Sequence, residues 1–367
     1  MSLPIETDSE FKALRIFSAS LGRNPSRTQA AGGNTSLKRD DVLWIKASGA
    51  WLAHAEERDI MVPVGLNGLL DALAEGDPRA ETAASFVDET RNPERLRPSI
   101  ETSVHAVFPQ AVVAHIHCVE TIALGVMAKG EALVTERLRS LSDVAWIYVP
   151  YCRPGLTLAK IIAARLSSGA NVVILANHGL VVAGATVAEV ADRLDRVCHA
   201  LASPARAAPT ADLSPLAQAI EGSDYRLPAH AAAHALALDS ASLSLASGGS
   251  LYPDHVIFLG PGIVVAPDIE TGAAARPAGG RDGPPPMVVM PGLGIAMHRS
   301  ATPAADAMAR CLADVVSRIP PEAEIVRLTP QQEYELMHWE AEKYRQALDA
   351  KASTPEKTSA PDKTSAS

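Results

Sequence analysis

The 367-residue sequence has few cysteines, few aromatic residues and no excess of positive charge. Its four cysteines, Cys118, Cys152, Cys198 and Cys311, are widely spaced without a C-x-x-C pair, which favours a reducing compartment over a disulfide framework. The net charge of −9 argues against a basic nucleic-acid-binding face. No apolar run is long enough to span a bilayer, and the N-terminus lacks a signal-peptide pattern. We therefore expect a cytoplasmic protein whose partners include neither nucleic acid nor a membrane.

Apolar residues make up 47% of the chain, which is enough for a substantial core. A Pro- and Ala-rich stretch at residues 203–215 predicts a boundary between two units. We expect one domain over residues 1–205, a smaller C-terminal α/β domain over 206–350, and a disordered tail over 351–367. Strands are predicted within the second unit at residues 255–266 and 286–298.

The segment VVAHIHC ends an apolar strand pattern with two histidines, His115 and His117. Residues i and i+2 of a strand share a face, so both rings are expected on the same side as Val113. Two adjacent imidazoles must stay neutral or share a cation, and neutral imidazole is a preferred zinc ligand. The alternative is a pair of histidines on a buried strand, satisfied by backbone partners.

A metal site needs further ligands, and two other segments offer them. His178 lies in the motif NHG, where an apolar strand meets a tight turn. Glu101 lies near the start of a short predicted helix and offers a carboxylate. Three histidines and one removable carboxylate form a four-ligand zinc set that can open a position for substrate. A solvated Glu101 is the alternative interpretation.

Two loops and one helix start carry polar groups that suit an anion. Glycines in AGGNTSLK let the backbone approach a ligand, and WIKASGAW ends a strand in a serine and a glycine. A serine also precedes the short helix, where free N–H groups favour negative charge. The candidate residues are Gly33, Asn34, Ser48, Gly49 and Ser99, with Lys46 and Lys38 as sources of charge. Each loop taken alone is equally consistent with an ordinary turn.

Five motifs occur in one order along the chain: G-G-N-T-S, a strand ending in S-G, P-S-x-E-x-x-x-H, H-x-H and N-H-G-L. Together they resemble the class II aldolase/adducin superfamily, whose enzymes include the fuculose- and rhamnulose-phosphate aldolases. The resemblance covers residues 10–205. With YPDHVIFLG, the chain also resembles the aldolase part of bacterial aldolase/short-chain dehydrogenase fusion proteins, here without the dehydrogenase part. GLGIAM lacks the third glycine of G-x-G-x-x-G and predicts no nucleotide site.

The resemblance implies a three-layer α/β/α fold with a central, mainly antiparallel sheet, and a homo-oligomer, with a tetramer favoured. It implies that His115, His117 and His178 bind Zn²⁺ or another divalent metal. Glu101 would be both the removable metal ligand and the acid/base residue.

The five anion-binding candidates match the family's phosphate-binding positions. Sugar-phosphate aldolases have two serines before the glutamate, whereas Ser99–Ile100 precedes it here. The anion is therefore either a phosphate or a carboxylate. Tyr151 is the candidate for the family's catalytic tyrosine.

The implied function is that of a zinc-dependent lyase, an aldolase acting on a ketose phosphate or sugar acid through a metal-stabilised enediolate. A metal-dependent decarboxylase of a 3-oxo sugar acid phosphate is an alternative that uses the same site. A non-catalytic adducin-like interaction protein is another, although such members lose the metal histidines. A last alternative is a partner of a separately made dehydrogenase. The sequence leaves the identity of the sugar open.

Overall fold

The computed structural model describes residues 5–166, 169–276 and 283–339; the predicted tail, 351–367, lies outside these residues. The strands are β1 (Asn34–Arg39), β2 (Val42–Lys46), β3 (Met61–Gly65), β4 (Val112–Ile116), β5 (Trp146–Val149), β6 (Val172–Leu175), β7 (Gly179–Gly184), β8 (Tyr225–Arg226), β9 (Val264–Val265), β10 (Met287–Met290) and β11 (Gly294–His298). The α-helices are α1 (Ser9–Arg23), α2 (Leu66–Glu75), α3 (Thr102–Ala106), α4 (Val119–Gly125), α5 (Gly130–Leu138), α6 (Leu156–Arg165), α7 (Val187–Leu201), α8 (Ser214–Ala219), α9 (Ala235–Leu238), α10 (Ser240–Ser247), α11 (Pro253–Leu259), α12 (Ile269–Ala274), α13 (Pro303–Val316) and α14 (Pro330–His338).

The larger sheet has seven strands in the order β3-β2-β1-β4-β7-β6-β5. Every neighbouring pair is antiparallel except β5 and β6, which confirms the predicted α/β class with a mainly antiparallel central sheet. Apolar cores lie on both faces: Val112, Ala114 and Ile116 of β4 belong to one, and Val113 belongs to the other. The alternation of a strand therefore places His115 on the Val113 face, as predicted.

The smaller sheet lies in the C-terminal part, in the order β8-β11-β10-β9. The prediction of a strand over 255–266 is wrong for most of its length, because this segment begins with helix α11 and keeps only β9 as strand. Pro253 occupies the first helical turn, where its missing N–H costs nothing. All residues of α11 are buried, so its apolar run shows no amphipathic period that distinguishes it from a buried strand.

The two sheets belong to parts of the chain that pack closely together. Helix α13 packs against α4, and α11 packs against α13 and α14. One apolar core contains both Ile122 of α4 and Leu312 of α13, and so crosses the predicted boundary at residue 205. That boundary stays a prediction.

The described ranges contain none of the long apolar helices that a bilayer crossing requires. The four cysteines carry free thiols. The Sγ atoms of Cys118 and Cys198 lie 3.5 Å apart, at a hydrogen-bonding distance well beyond that of a disulfide.

His255, on α11, leads to a prediction about stability in acid. Its ring is fully buried, its Nε2–H donates to Gly262 O at 2.8 Å, and burial lowers its pKa from 6.5 to about 4. Between these two pH values the unfolded chain binds the proton more readily than the folded chain does. The free energy of unfolding therefore falls by about 3 kcal/mol as the pH is lowered from about 6.5 to about 4. His255→Gln is expected to reduce the pH dependence of the free energy of unfolding, which urea titrations near pH 6.5 and near pH 4 would measure. His54→Gln, which removes an exposed ring, is the control; an unchanged slope for His255→Gln would contradict the prediction.

Candidate metal centre and anion-binding loops

Three buried histidines, in or next to the neighbouring strands β4 and β7, bring their Nε2 atoms together. His115 lies in β4, His117 follows the end of that strand, and His178 lies in the connection between β6 and β7. The His115 Nε2 is 3.2 Å from the His117 Nε2 and 3.3 Å from the His178 Nε2. The histidine pair and the NHG motif, separated by some sixty residues in the sequence, thus meet because β4 and β7 are paired.

The tight turn of the NHG motif has two local causes. Asn177 adopts a left-handed conformation, with φ of 55°, which asparagine tolerates better than most residues. A Cβ on Gly179 would lie 2.3 Å from the carbonyl oxygen of Ile116, so only glycine lets β7 approach β4 this closely. The turn therefore aims His178 at the end of β4.

The tautomers of the first two rings follow from their hydrogen bonds. The Nδ1 of His115 lies 3.1 Å from Leu180 O, which can only accept, and burial lowers the pKa of this ring. The Nδ1 of His117 lies 2.7 Å from Asp254 Oδ2, so it donates to that carboxylate. With both Nδ1 atoms donating, each neutral ring presents its Nε2 lone pair to the other. Two lone pairs cannot form a hydrogen bond, but both can bind one cation.

Glu101 completes the cluster from the N-cap position of α3. Its Oε2 is 3.4 Å from His115 Nε2, and its Oε1 is 3.5 Å from His178 Nε2. Asn34 donates to Oε2 at 2.8 Å, whereas the buried Oε1 has no hydrogen-bond partner among the described residues. Ligand atoms of the four side chains all lie within 4.8 Å of one another. Three imidazoles, one carboxylate and an orphaned buried oxygen fit a divalent metal, and the donor types are those of zinc.

A small cavity of about 30 Å³ opens beside this cluster. The five anion-binding candidates all line it: Gly33, Asn34, Ser48, Gly49 and Ser99. The backbone N–H groups of the two serines are already donated to carbonyl oxygens, at 2.9 and 3.1 Å. The Ser99 Oγ also accepts from the Glu101 N–H at 3.2 Å, so its O–H is the group left to donate to a ligand, and Ser48 can offer its hydroxyl group.

The family of the chain follows from comparison with known proteins. The class II aldolase and adducin N-terminal domain matches residues 20–202. An L-fuculose phosphate aldolase from Methanococcus vannielii is 31% identical over 161 residues, which are 43% of this chain and 76% of that protein. The chain belongs to the class II aldolase and adducin family.

Two further proteins are similar to part of the chain. An uncharacterized oxidoreductase from Bacillus subtilis, YuxG, is 29% identical over 170 residues, which are 42% of this chain. That match spans only 24% of the length of the Bacillus protein. Among solved structures, the N-terminal class II aldolase domain of a conserved protein from Thermoplasma acidophilum has 25% identity and a TM-score of 0.46. It covers 55% of this chain and 95% of the solved one.

Of the three remaining candidate site residues of this class II aldolase domain, Lys46, Lys38 and Tyr151, only Lys46 lines the small cavity. Lys46 lines the cavity and is buried, and its Nζ donates to Ala31 O at 2.6 Å and to Ala50 O at 2.8 Å. It thereby ties together the two loops that were predicted to bind the anion. Lys38 donates to the backbone elsewhere, and burial lowers its pKa to about 7. Tyr151 packs against an apolar core outside the cavity lining, and burial raises its pKa.

Sequence reasoning missed Asp254, which lines the cavity from the C-terminal part of the chain. Its one signal in the sequence is an acidic residue within the otherwise apolar LYPDHVIFLG. A second cavity of about 990 Å³ lies next to the first, and both include Ser48 and Ile100 in their walls. Ile100 therefore belongs to the walls of both spaces.

Proposed function

We propose that the chain is a divalent-metal-dependent aldolase, with Zn²⁺ as its metal, that makes or cleaves a C–C bond in a ketose phosphate or sugar acid. The observation that carries this proposal is the meeting of three histidine Nε2 atoms with the Glu101 carboxylate beside a polar cavity. Membership of the class II aldolase and adducin family, and similarity to an L-fuculose phosphate aldolase, support it.

His115, His117, His178 and Glu101 would hold the ion. A bound divalent cation supplies Lewis acidity, which stabilises negative charge on the carbonyl and hydroxyl oxygens of a sugar. The chain contributes a rigid floor, because His115 is held by the backbone of β7 and His117 by Asp254. Rings fixed in this way keep their lone pairs directed to one point.

Glu101 would move the proton. Cleavage breaks one C–C bond and moves one proton: the hydroxyl group on the carbon that becomes the aldehyde loses its proton, and the carbon next to the carbonyl keeps the electron pair and gains a proton. Asn34 holds the Oε2 of Glu101, so Oε1 is the atom left to give or take the proton. In the synthetic direction the same oxygen removes the proton.

The polar loops would orient the substrate through its terminal anion. Hydroxyl groups of Ser48 and Ser99 and the amide of Asn34 line the cavity, and Lys46 adds a positive charge where the two loops meet. Holding the anion fixes the reacting carbons relative to Glu101. With Ile100 in place of a second serine, we propose that the anion is either a phosphate or a carboxylate.

We further propose residues 1–205 as the catalytic domain and 206–350 as a C-terminal domain. The cysteine spacing supports a cytoplasmic location. The family resemblance supports a homo-oligomer, with a tetramer favoured, that binds a small sugar phosphate or sugar acid. Tyr151 is retained as a candidate only by that resemblance, because it does not line the cavity.

A retro-aldol screen over ketose 1-phosphates and sugar acids tests the function, with aldehyde and carbon dioxide measured in the same reactions. Metal-dependent release of an aldehyde is the expected result, and chelator-treated protein is the control. Carbon dioxide without aldehyde would instead indicate the decarboxylase. Absence of both products from metal-loaded protein across the panel would favour an adducin-like interaction role.

A further inference from the structure

We infer that the C-terminal unit is part of the metal centre, and that Asp254 is a positioning residue that sets the tautomer and orientation of His117. The inference rests on the proposed binding of a metal by the three histidines. It concerns a residue outside the part of the chain, 20–202, that matches the class II aldolase domain.

The contact between the two side chains is short and buried. Asp254 Oδ2 lies 2.7 Å from His117 Nδ1, although the residues are 137 positions apart in the sequence. The relative exposures of their side chains are 3% and 7%. Burying a carboxylate to this extent costs free energy unless the carboxylate is paired. Here its partner is the His117 ring, whose other nitrogen faces the candidate metal centre.

The chemistry of the pair explains what the carboxylate does. An ionised carboxylate only accepts, so it keeps the proton of His117 on Nδ1 and leaves the Nε2 lone pair for the metal. It also makes the ring a stronger ligand, as carboxylates bound to metal-ligating histidines generally do. A carboxamide of the same shape lacks the charge, and its NH₂ group can donate to Nδ1. That arrangement would place the proton on Nε2, where the metal should bind.

The fold aims Asp254 at His117 through the start of α11. Tyr252 is the N-cap of this helix and Pro253 lies in its first turn, so Asp254 follows at a fixed position. Gly32 closes the space on the opposite side: a Cβ there would lie 2.8 Å from His117 Nδ1 and 2.9 Å from Asp254 Oδ2. The pair therefore sits in a space that accepts no additional methyl group.

A second contact links the C-terminal unit to the other side of the cluster. Asn177 donates through Nδ2 to Leu251 O at 2.9 Å and to Val326 O at 2.8 Å. Since Asn177 immediately precedes His178, the same unit holds the turn that carries this ring. Two of the three histidines thus depend on the C-terminal unit for their positions.

The test is the affinity of the full chain for Zn²⁺, measured by competition with a chromophoric chelator. Asp254→Asn is expected to weaken binding by about ten- to a hundredfold, the usual effect of losing such an outer partner. Asp306→Asn is the matched control, because Asp306 is equally buried in the C-terminal unit but pairs with Arg226 at 2.6 Å. The control should lower the thermal midpoint of the metal-free protein and leave the zinc affinity unchanged.

Gly32→Ala is a second variant that keeps the Asp254 carboxylate but introduces a methyl group against both His117 Nδ1 and Asp254 Oδ2. Because this group displaces the two side chains, the variant should also weaken zinc binding. If the parent chain binds zinc and both variants bind it equally well, the inference is overturned and the proposed function stands. If the parent chain itself binds no zinc, the proposed function fails first. A loss of affinity in Asp306→Asn as large as in Asp254→Asn would reduce Asp254 to a structural role and overturn the inference.

Discussion

Replacing His117 by alanine is expected to leave the purified protein without its divalent metal, whereas the parent chain should carry roughly one zinc ion per chain. The substitution removes the Nε2 that lies 3.2 Å from that of His115 and leaves Asp254 without its ring partner. Two imidazoles and a carboxylate remain. The affinity for zinc should therefore fall by more than a factor of about one hundred, the upper limit expected for Asp254→Asn. Metal content after dialysis, measured by mass spectrometry, checks the prediction.

His234→Ala is the matched control for this experiment. The His234 ring is also buried, at 2% exposure, but its Nδ1 accepts from Ile295 N at 3.2 Å in the C-terminal unit. This variant should lose stability and keep its metal. Stoichiometric metal in dialysed His117→Ala would remove the basis for the assignment of all three histidines.

Glu101→Gln is expected to keep the fold and the metal but to lower retro-aldol turnover by about a hundred- to ten-thousandfold. The glutamine has the shape of the glutamate, and its amide oxygen can still accept from Asn34 Nδ2. It cannot take up and return a proton at the position of Oε1. Single-turnover rates of the metal-loaded variant, measured on the substrate identified by the screen, give the size of the effect.

Glu189→Gln is the control for the second experiment, because Glu189 pairs with Arg193 outside the cluster and should have no effect on turnover. Turnover of Glu101→Gln equal to that of the parent chain would place the base elsewhere. Loss of metal in proportion to activity would assign Glu101 to binding alone. Retained metal with lost turnover is the result that distinguishes a proton carrier from a simple ligand.

Most ligand residues of the candidate site are predictable from the sequence, because they belong to short local patterns. The period of a strand predicts that His115 and His117 share a face, and the two apolar cores confirm this alternation along β4. The carboxylate of Glu101 was predicted as a ligand from its residue type, and the structure brings it within reach of the histidines. Such features depend on nearest neighbours in the chain and on the chemistry of each side chain.

Helix α11 shows where local patterns fail. Its residues are all buried, so the apolar run contains no polar face from which a helical period can be recognised. A strand at these positions gives no reason to expect that the Asp254 side chain contacts His117. The role of Lys46 was hidden for a related reason, since its contacts with Ala31 and Ala50 depend on how two loops fold back on β2.

The sequence alone therefore determined the class of fold, the order of the motifs, and the residues that offer imidazole, carboxylate and hydroxyl groups. Only the tertiary structure decided that α11 turns Asp254 onto His117 and that Asn177 ties the His178 turn to the C-terminal unit. The physical reason is that hydrogen bonds between residues more than seventy positions apart are set by the packing of helices and sheets. No period or spacing within a single segment records that packing.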